Sequence, residues 1–326
     1  MNILVTGGAG YIGSATAEAL LRAGHVVTVY DSLVTGHRAA VPKGALFVHA
    51  ALDDRPALSR VLTRGAFDAV MHFAAFIEAG ESMKAPGRFY FNNLHNSLTL
   101  IETAALAGVK RFVLSSTAAV YRSSDEPLRE DSPLGPTNVY GHTKLVVEQA
   151  LEWYRQIHGL HFAALRYFNA CGAVPGRGEA HEPESHLIPR VLQVALGKAE
   201  AATIYGTDYP TPDGTCIRDY VHVGDLVSAH LLALDALESK DALIYNVGSG
   251  QGFSVREVIE AARAVTGHAI PVVEAQRRPG DPPRLVASPD KIRSELGWKP
   301  QHNDLKDMVA SAWEWHRANP KGYGSK

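Results

Sequence analysis

The sequence predicts a doubly wound, mostly parallel α/β sheet with a smaller C-terminal lobe, and two observations carry that reading. Short apolar runs without polar alternation recur at Ile3–Thr6, Val26–Tyr30, Leu46–His49, Ala69–Phe73, Phe112–Ser115 and Phe162–Phe168. Runs of this kind read as strands buried on both faces. Between them lie Ile12–Ala23, Arg55–Thr63, Phe89–Ala107 and Val139–His158, with apolar residues at helical spacing. Strands alternating with helices argue for βαβ units joined by right-handed crossovers.

The texture changes near residue 170. Ala173–Pro183 and Gly206–Gly214 are rich in glycine, proline and charge, and read as loops. Leu187–Leu196, Leu226–Leu237, Val255–Thr266 and Leu305–Arg317 follow as further elements, expected to build a smaller mixed α/β lobe over the C-terminal strand edges. Tyr245–Val247 reads as one more strand of the main sheet. The expected division is 1–172 for the sheet domain and 173–326 for the smaller lobe, with a strand near 244–250 returning to the sheet.

Composition narrows the function classes. Of 326 residues 46% are hydrophobic and 20% charged, and the net charge is −2, which excludes a polyanion-binding surface, so no nucleic-acid partner is expected. No apolar run reaches membrane-spanning length. Ile3–Val5 run straight into glycines with no charged segment before an apolar one, so no secretory signal is expected. Cys171 and Cys216 match no metal spacing and read as packed free thiols, as in a reducing compartment. The expectation is a soluble cytoplasmic protein without a metal.

The chain opens Thr6-Gly7-Gly8-Ala9-Gly10-Tyr11-Ile12-Gly13, where Gly7, Gly10 and Gly13 follow a strand and open a helix. A dinucleotide site needs a tight turn, close backbone approach to a pyrophosphate, and tight helix–strand packing at those places. The helix start adds free N–H groups and a positive dipole end. Glycines that merely cap a turn need no acid downstream, yet Asp31 ends the second strand 18 residues after Gly13. A carboxylate there holds the adenosine ribose hydroxyls. It also repels a 2′-phosphate, so the Rossmann-like fold is expected to bind NAD rather than NADP.

Tyr140 and Lys144 share one helix face, four residues apart. Alone, such a pair is more often an ordinary aromatic–cation contact. With a nucleotide loop upstream and Ser115-Ser116-Thr117 ending a strand, it reads as chemistry. A nearby ammonium and the positive nicotinamide ring favour the phenolate. The phenolate then takes a hydroxyl proton while hydride leaves the carbon. Thr117, at a strand's C-terminal end, is placed to share that proton.

The Gly-x-x-Gly-x-x-Gly spacing resembles the short-chain dehydrogenase/reductases, and the length points to their extended branch. Over nearly the whole chain the sequence is similar to the UDP-glucose 4-epimerase family within the NAD-dependent epimerase/dehydratases. Thr6–Gly13, His72–Ala75, Asn92-Asn93, Ser115–Tyr121, Tyr140–Lys144, Arg166–Asn169, Tyr209–Thr215, Arg218–Val223 and Arg277–Asp281 carry the likeness. The resemblance implies cofactor contacts from Tyr11, Ile12, Ser32, Leu33, Thr35, Gly36, Ala51, Leu52, Phe73, Ala74, Ala75, Asn92, Ser115, Tyr167 and Phe168. It implies that Asn169, His186 and Leu187 touch the substrate diphosphate or sugar, and that Thr203, Ile204 and Tyr205 line the uracil. Arg218 and Arg278 are implied for the two phosphates, Asp281 for the uridine ribose, and Leu285 as a gate against N-acetylated sugars. Guanidinium forks suit diphosphate oxygens. The implied activity is inversion at C4 of a UDP-hexose through a ketone, with NAD retained, in a homodimer formed by helices Phe89–Ala107 and Val139–His158.

Departures are specific. Ala50-Ala51 stands where the family carries Gly-Asp, with Asp53 the expected substitute near the adenine amine. Arg122 replaces a common glycine, and Phe76-Ile77-Glu78 fills a variable stretch. A 4,6-dehydratase would carry Asp-Glu after the active-site threonine, whereas Ala118-Ala119 follows Thr117. A 4-epimerase of UDP-GlcNAc, a UDP-pentose or a UDP-uronate needs the same core and stays open, and a non-catalytic NAD-binding protein would have no use for Tyr140 and Lys144.

Overall fold

In the computed structural model, which describes residues 1–278 and 281–324, the apolar runs are central strands. They are β1 (Asn2–Thr6), β2 (Val26–Asp31), β3 (Leu46–His49), β4 (Ala69–His72), β5 (Arg111–Thr117) and β6 (His161–Tyr167). β7 (Asn169–Cys171), β8 (Ala202–Tyr205) and β9 (Ile217–His222) follow, then β10 (Ala242–Val247), β11 (Gly252–Ser254), β12 (Val272–Ala275) and β13 (Arg284–Leu285). The main sheet runs β10-β6-β5-β4-β1-β2-β3 with every neighbour parallel. β1 is paired on one side with β2 and on the other with β4, so the strand order reverses there. Ligands of open parallel sheets bind outside the carboxyl ends of the strands at that reversal.

The helices are α1 (Tyr11–Arg22), α2 (Arg55–Gly65), the short turns α3 (Ala79–Ser82) and α4 (Pro86–Phe89), α5 (Asn96–Leu106) and α6 (Val139–His158). α7 (Leu187–Ala195), α8 (Val223–Ala236), α9 (Val255–Thr266), α10 (Asp290–Leu296) and α11 (Leu305–Ala318) complete the chain. One face of the sheet is covered by α2, α5 and α6, through Leu58, Leu62, Leu100, Ile101, Val147 and Leu151. α1 and α8 cover the other, with Ala17, Leu20, Leu226, Ala229 and Leu234 against Ile3, Val5, Val29 and Leu165.

The second lobe packs α7, α9 and α11 into a separate apolar core with Ile204 and Tyr220. It also holds the β11-β9-β13 sheet, to which β7 adds on β9, and the β8–β12 pair. Two expectations need correction. Leu226–Leu237 was expected in the second lobe, but α8, which contains most of that segment, lies on the main sheet beside α1. Phe89–Ala107 was expected as one helix, but Tyr90–His95 forms a wide π turn ahead of α5. The turn brings Asn93 round so that its carboxamide exchanges hydrogen bonds of 2.8 Å with both N and O of Phe76. Such turns often mark functional sites.

Candidate active site

The glycine loop is dictated by space. Gly7 has φ of +73°, and a Cβ on it would sit 2.5 Å from the Ala74 nitrogen. A Cβ on Gly13 would sit 2.2 Å from the Gly7 carbonyl oxygen. α1 starts behind Gly10 with no side-chain cap and no acid in its first turn, leaving its N–H groups for an anion. Asp31, at the end of β2, accepts from the N–H groups of Ala9 at 2.9 Å and Leu33 at 2.8 Å. Burial pushes its carboxyl up from its ordinary value, opposed by those two bonds. Asp31 therefore ties the glycine loop to the turn after β2 as well as facing the cavity, a second role that motif spacing does not reveal.

β5 and α6 set the reactive end. α6 begins where Asn138 Oδ1 accepts from Gly141 N at 2.8 Å and Ser82 Oγ accepts from Tyr140 N at 3.1 Å. Gly141 has to be glycine, because a Cβ there would lie 2.2 Å from the Ala119 carbonyl oxygen. This close approach brings Tyr140 within hydrogen-bond reach of Thr117. Lys144 is buried and donates to the Ser115 carbonyl at 2.8 Å. Burial pulls its pKa down to about 8, opposed by Glu148. Burial likewise pushes Tyr140 up to about 12, and the Thr117 hydrogen bond only partly offsets that. The pocket by itself therefore keeps Tyr140 as a phenol, and the phenolate expected from the sequence needs a further positive charge.

These groups line a cavity of about 460 Å³, a common size for a cofactor cleft. Its wall contains Gly7, Gly10, Tyr11, Ile12, Gly13, Asp31, Ser32, Thr35, Gly36, Ala51, Leu52, Phe73, Ala74, Ala75, Asn92, Ser115, Thr117, Tyr140, Lys144, Tyr167 and Phe168. Beside it lies a second cavity of about 220 Å³, lined by Leu187, Thr203, Tyr205, Arg218, Arg278 and Asp281. Asn169 and His186 line both, so the two read as one trough.

Three expected residues are not on either wall. Leu33, at φ +58°, turns into the main core. Ile204 points into the second-lobe core while Thr203 and Tyr205 face the cavity, as strand alternation requires. Leu285 packs on the cluster of Tyr121, Leu128, Phe168 and Ala287. Of the Arg277–Asp281 motif, Pro279 and Gly280 lie outside the described residues.

In the second cavity Arg218 donates to the carbonyls of Ile217 and Pro282, both at 2.9 Å. Arg278 donates to Asp281 at 2.9 Å and lies over the Tyr205 ring. His186 pairs with Glu184 at 2.7 Å, and His181 with Glu179 at 2.7 Å. Burial pulls His186 down, but Glu184, Glu179 and Glu78 outweigh it and bring the pKa up to about 9. At neutral pH the ring is a cation, suited to an anionic ligand. Glu179, Glu184 and His186 bring potential metal-ligand atoms within 4.8 Å of one another. To ligate a metal the His186 ring would first have to lose its proton. Sequence reading missed Glu179 and His181 on the cofactor wall, because an irregular loop carries no periodic signal. It also missed Asn96, which is 6% exposed, lines the same cavity and has an Oδ1 without a hydrogen-bond partner.

The glycine cradle, the bare helix start, Asp31 and the unpaired Asn96 oxygen fit a dinucleotide, and the Tyr140–Lys144 end fits its nicotinamide. Comparisons agree. The model of the NAD dependent epimerase/dehydratase family matches residues 3–248. UDP-glucose 4-epimerase of Streptomyces lividans is 49% identical, over 99% of this chain and 98% of that protein. The crystal structure of UDP-glucose 4-epimerase from Brucella ovis in complex with NAD aligns with a TM-score of 0.93 at 42% identity, covering 96% of this chain and 97% of that one. The Bifidobacterium longum enzyme in complex with NAD⁺ and UDP aligns with a TM-score of 0.94 at 36% identity, covering 99% and 100%. The chain belongs to the NAD-dependent epimerase/dehydratase family.

Proposed function

We infer that this chain is an NAD-dependent isomerase that interconverts UDP-glucose and UDP-galactose by inverting C4. The observation that carries the reading is the convergence of Thr117, Tyr140 and Lys144 on the wall of the larger cavity, which shares Asn169 and His186 with the second. The proton-transfer group thereby shares one trough with the side chains proposed for the diphosphate.

Bound NAD would supply the acceptor and donor of the C4 hydride, so that the reaction would have no net redox change. The protein's share is protonic and positional. Tyr140 removes the O4 proton and returns it, with Thr117 sharing the hydrogen bond. Lys144 supplies the positive charge that, with the cofactor's, overcomes the burial of the phenol. Arg218 and Arg278 hold the diphosphate, and His186 adds a third cation at the junction. They hold the UDP end only, which leaves the 4-keto sugar free to turn its other face. Ala118-Ala119 after Thr117 offers no carboxylate for a dehydratase's step at C5 and C6.

The free cysteines Cys171 and Cys216 are buried, which supports a reducing cytoplasm. No helix among the described residues is long and apolar enough to cross a membrane. Exposed Leu106, Trp153 and Ile157 on α5 and α6 support a homodimer through those helices. The test is to incubate purified protein with UDP-galactose and no added NAD, following the products by NMR. UDP-glucose is expected, and its absence sinks the reading.

A further inference from the structure

Tyr140, Lys144 and Glu148 stand at successive four-residue steps on α6, so they share one face. The chemistry above uses the first two and leaves the third unexplained. Glu148 is 4% exposed and Arg166 3%. Arg166 Nη2 donates to Glu148 Oε2 at 2.7 Å and its Nε to Oε1 at 3.1 Å. The Ser116 hydroxyl also donates to Oε1 of the same carboxylate. Arg166 Nη1 donates to the Tyr121 hydroxyl at 2.9 Å, which donates to Asn246 Oδ1 at 2.7 Å. A satisfied polar network thus underlies the site and joins α6, the end of β5, β6 and β10.

Stability does not account for it. A buried ion pair is often matched or bettered by apolar side chains of the same volume, because desolvation cancels most of the attraction. Its placement is more telling. Ser116 lies between Ser115, which receives the Lys144 ammonium, and Thr117, which faces Tyr140.

We propose that Glu148, held by Arg166 and Ser116, is a positioning residue that keeps Lys144 in register with Tyr140 during C4 inversion. The role rests on the epimerase reading above. Around Lys144 stand the Ser115 carbonyl on β5, the Tyr140 phenol on its own helix and the Tyr167 phenol on β6. His72, on β4, is held neutral by burial, its pKa pulled to about 3, with Lys144 adding to that shift. Glu148 is the group that opposes burial of the ammonium. Replacing it with glutamine removes that anion and leaves the Arg166 guanidinium without its counter-charge. Both changes make the ammonium easier to deprotonate. A neutral lysine no longer favours the phenolate, so the rate falls first on the alkaline side.

The experiment uses the NAD-loaded enzyme and the variants Glu148→Gln and Glu148→Asp. A double variant, Glu148→Leu with Arg166→Met, removes both charges while keeping volume, in case the single change does not fold. kcat and KM for UDP-galactose are measured from pH 6 to pH 9.5, with bound NAD and melting temperature recorded for each protein. In Glu148→Gln the alkaline limb of kcat is expected to move down by about one pH unit, so that the loss at high pH exceeds that at pH 6.5 by about tenfold. KM and NAD content stay near wild type, Glu148→Asp recovers part of the shift, and the double variant shifts in the same direction. A folded, NAD-loaded variant whose limb does not move, or whose kcat falls equally at every pH, overturns the proposal and leaves Glu148 a packing residue. A wild type that leaves UDP-galactose unchanged overturns the reaction itself and this role with it.

Discussion

Tyr140 shows how much a single residue depends on what surrounds it. Its identity and partner were legible from four-residue spacing, but its resting protonation was not, because burial outweighs every favourable contact around it. Tyr140→Phe is expected to cut kcat by about a thousandfold, the scale of a lost general base. NAD content and UDP affinity should persist, and near-normal turnover would exclude Tyr140 as the base. His186 makes a second residue-scale case with a definite sign. Its folded pKa, about 9, lies above the ordinary histidine value, so the stability that its ion pair adds is fully present below about pH 6.5 and lost as pH rises through about 9. Substrate binding should follow the same charge. In His186→Gln the KM for UDP-galactose is expected to rise about tenfold at pH 7, and most of the wild-type increase in KM between pH 7.5 and 9.5 should disappear. A KM profile parallel to that of the wild type would remove the cation from the binding argument.

At the scale of elements, strands were read more securely than helices, for a physical reason. A strand buried on both faces is apolar throughout, so it declares itself as central. A helix declares only that one face meets some core, not which core. That is why the segment of α8 was foreseen as an element but assigned to the wrong lobe: its Leu226, Ala229, Ala233 and Leu234 fit either core in composition. The π turn at Tyr90–His95 was invisible because the contact it serves, Asn93 with Phe76, joins residues that no helical period links. Gly141 belongs to the same class. In sequence it is an unremarked residue of the Tyr-x-x-x-Lys stretch, and in the fold it lets the start of α6 touch the turn after β5. Gly141→Ala is expected to push Tyr140 away from Thr117 and lower kcat by about a hundredfold, the usual cost of a misplacement near 1 Å. KM should change little, because the side chains proposed for the phosphates, Arg218 and Arg278, lie on other elements. An alanine variant with wild-type kcat would show that this approach does not set the catalytic geometry.

For the molecule as a whole, the sequence carried the cofactor half further than the substrate half. The glycine loop, Asp31 and the β5–α6 pair each sit within one βαβ unit, where spacing fixes position. The second cavity collects Asn169, His186, Thr203, Arg218 and Asp281 from separate elements, and only tertiary packing brings them together. Assembly of two copies lies further still from what spacing can show. On α6, Trp153 is 62% exposed and Ile157 69%, four residues apart on one side, and Leu106 at the end of α5 is 73% exposed. The opposite face of the same helices is buried against the main sheet. Trp153, Ile157 and Leu106 are the side chains on which the proposed homodimer rests. A two-fold pairing of α5 and α6 would cover them with a second copy. Trp153→Glu combined with Ile157→Glu places like charges at the centre of that contact. The double variant is expected to run as a monomer in light scattering, against a dimer for the wild type, with NAD still bound. Its epimerase activity should fall much less than that of Tyr140→Phe, since neither side chain lines either cavity. A wild-type monomer, or a double variant that stays dimeric, would move the interface away from these helices.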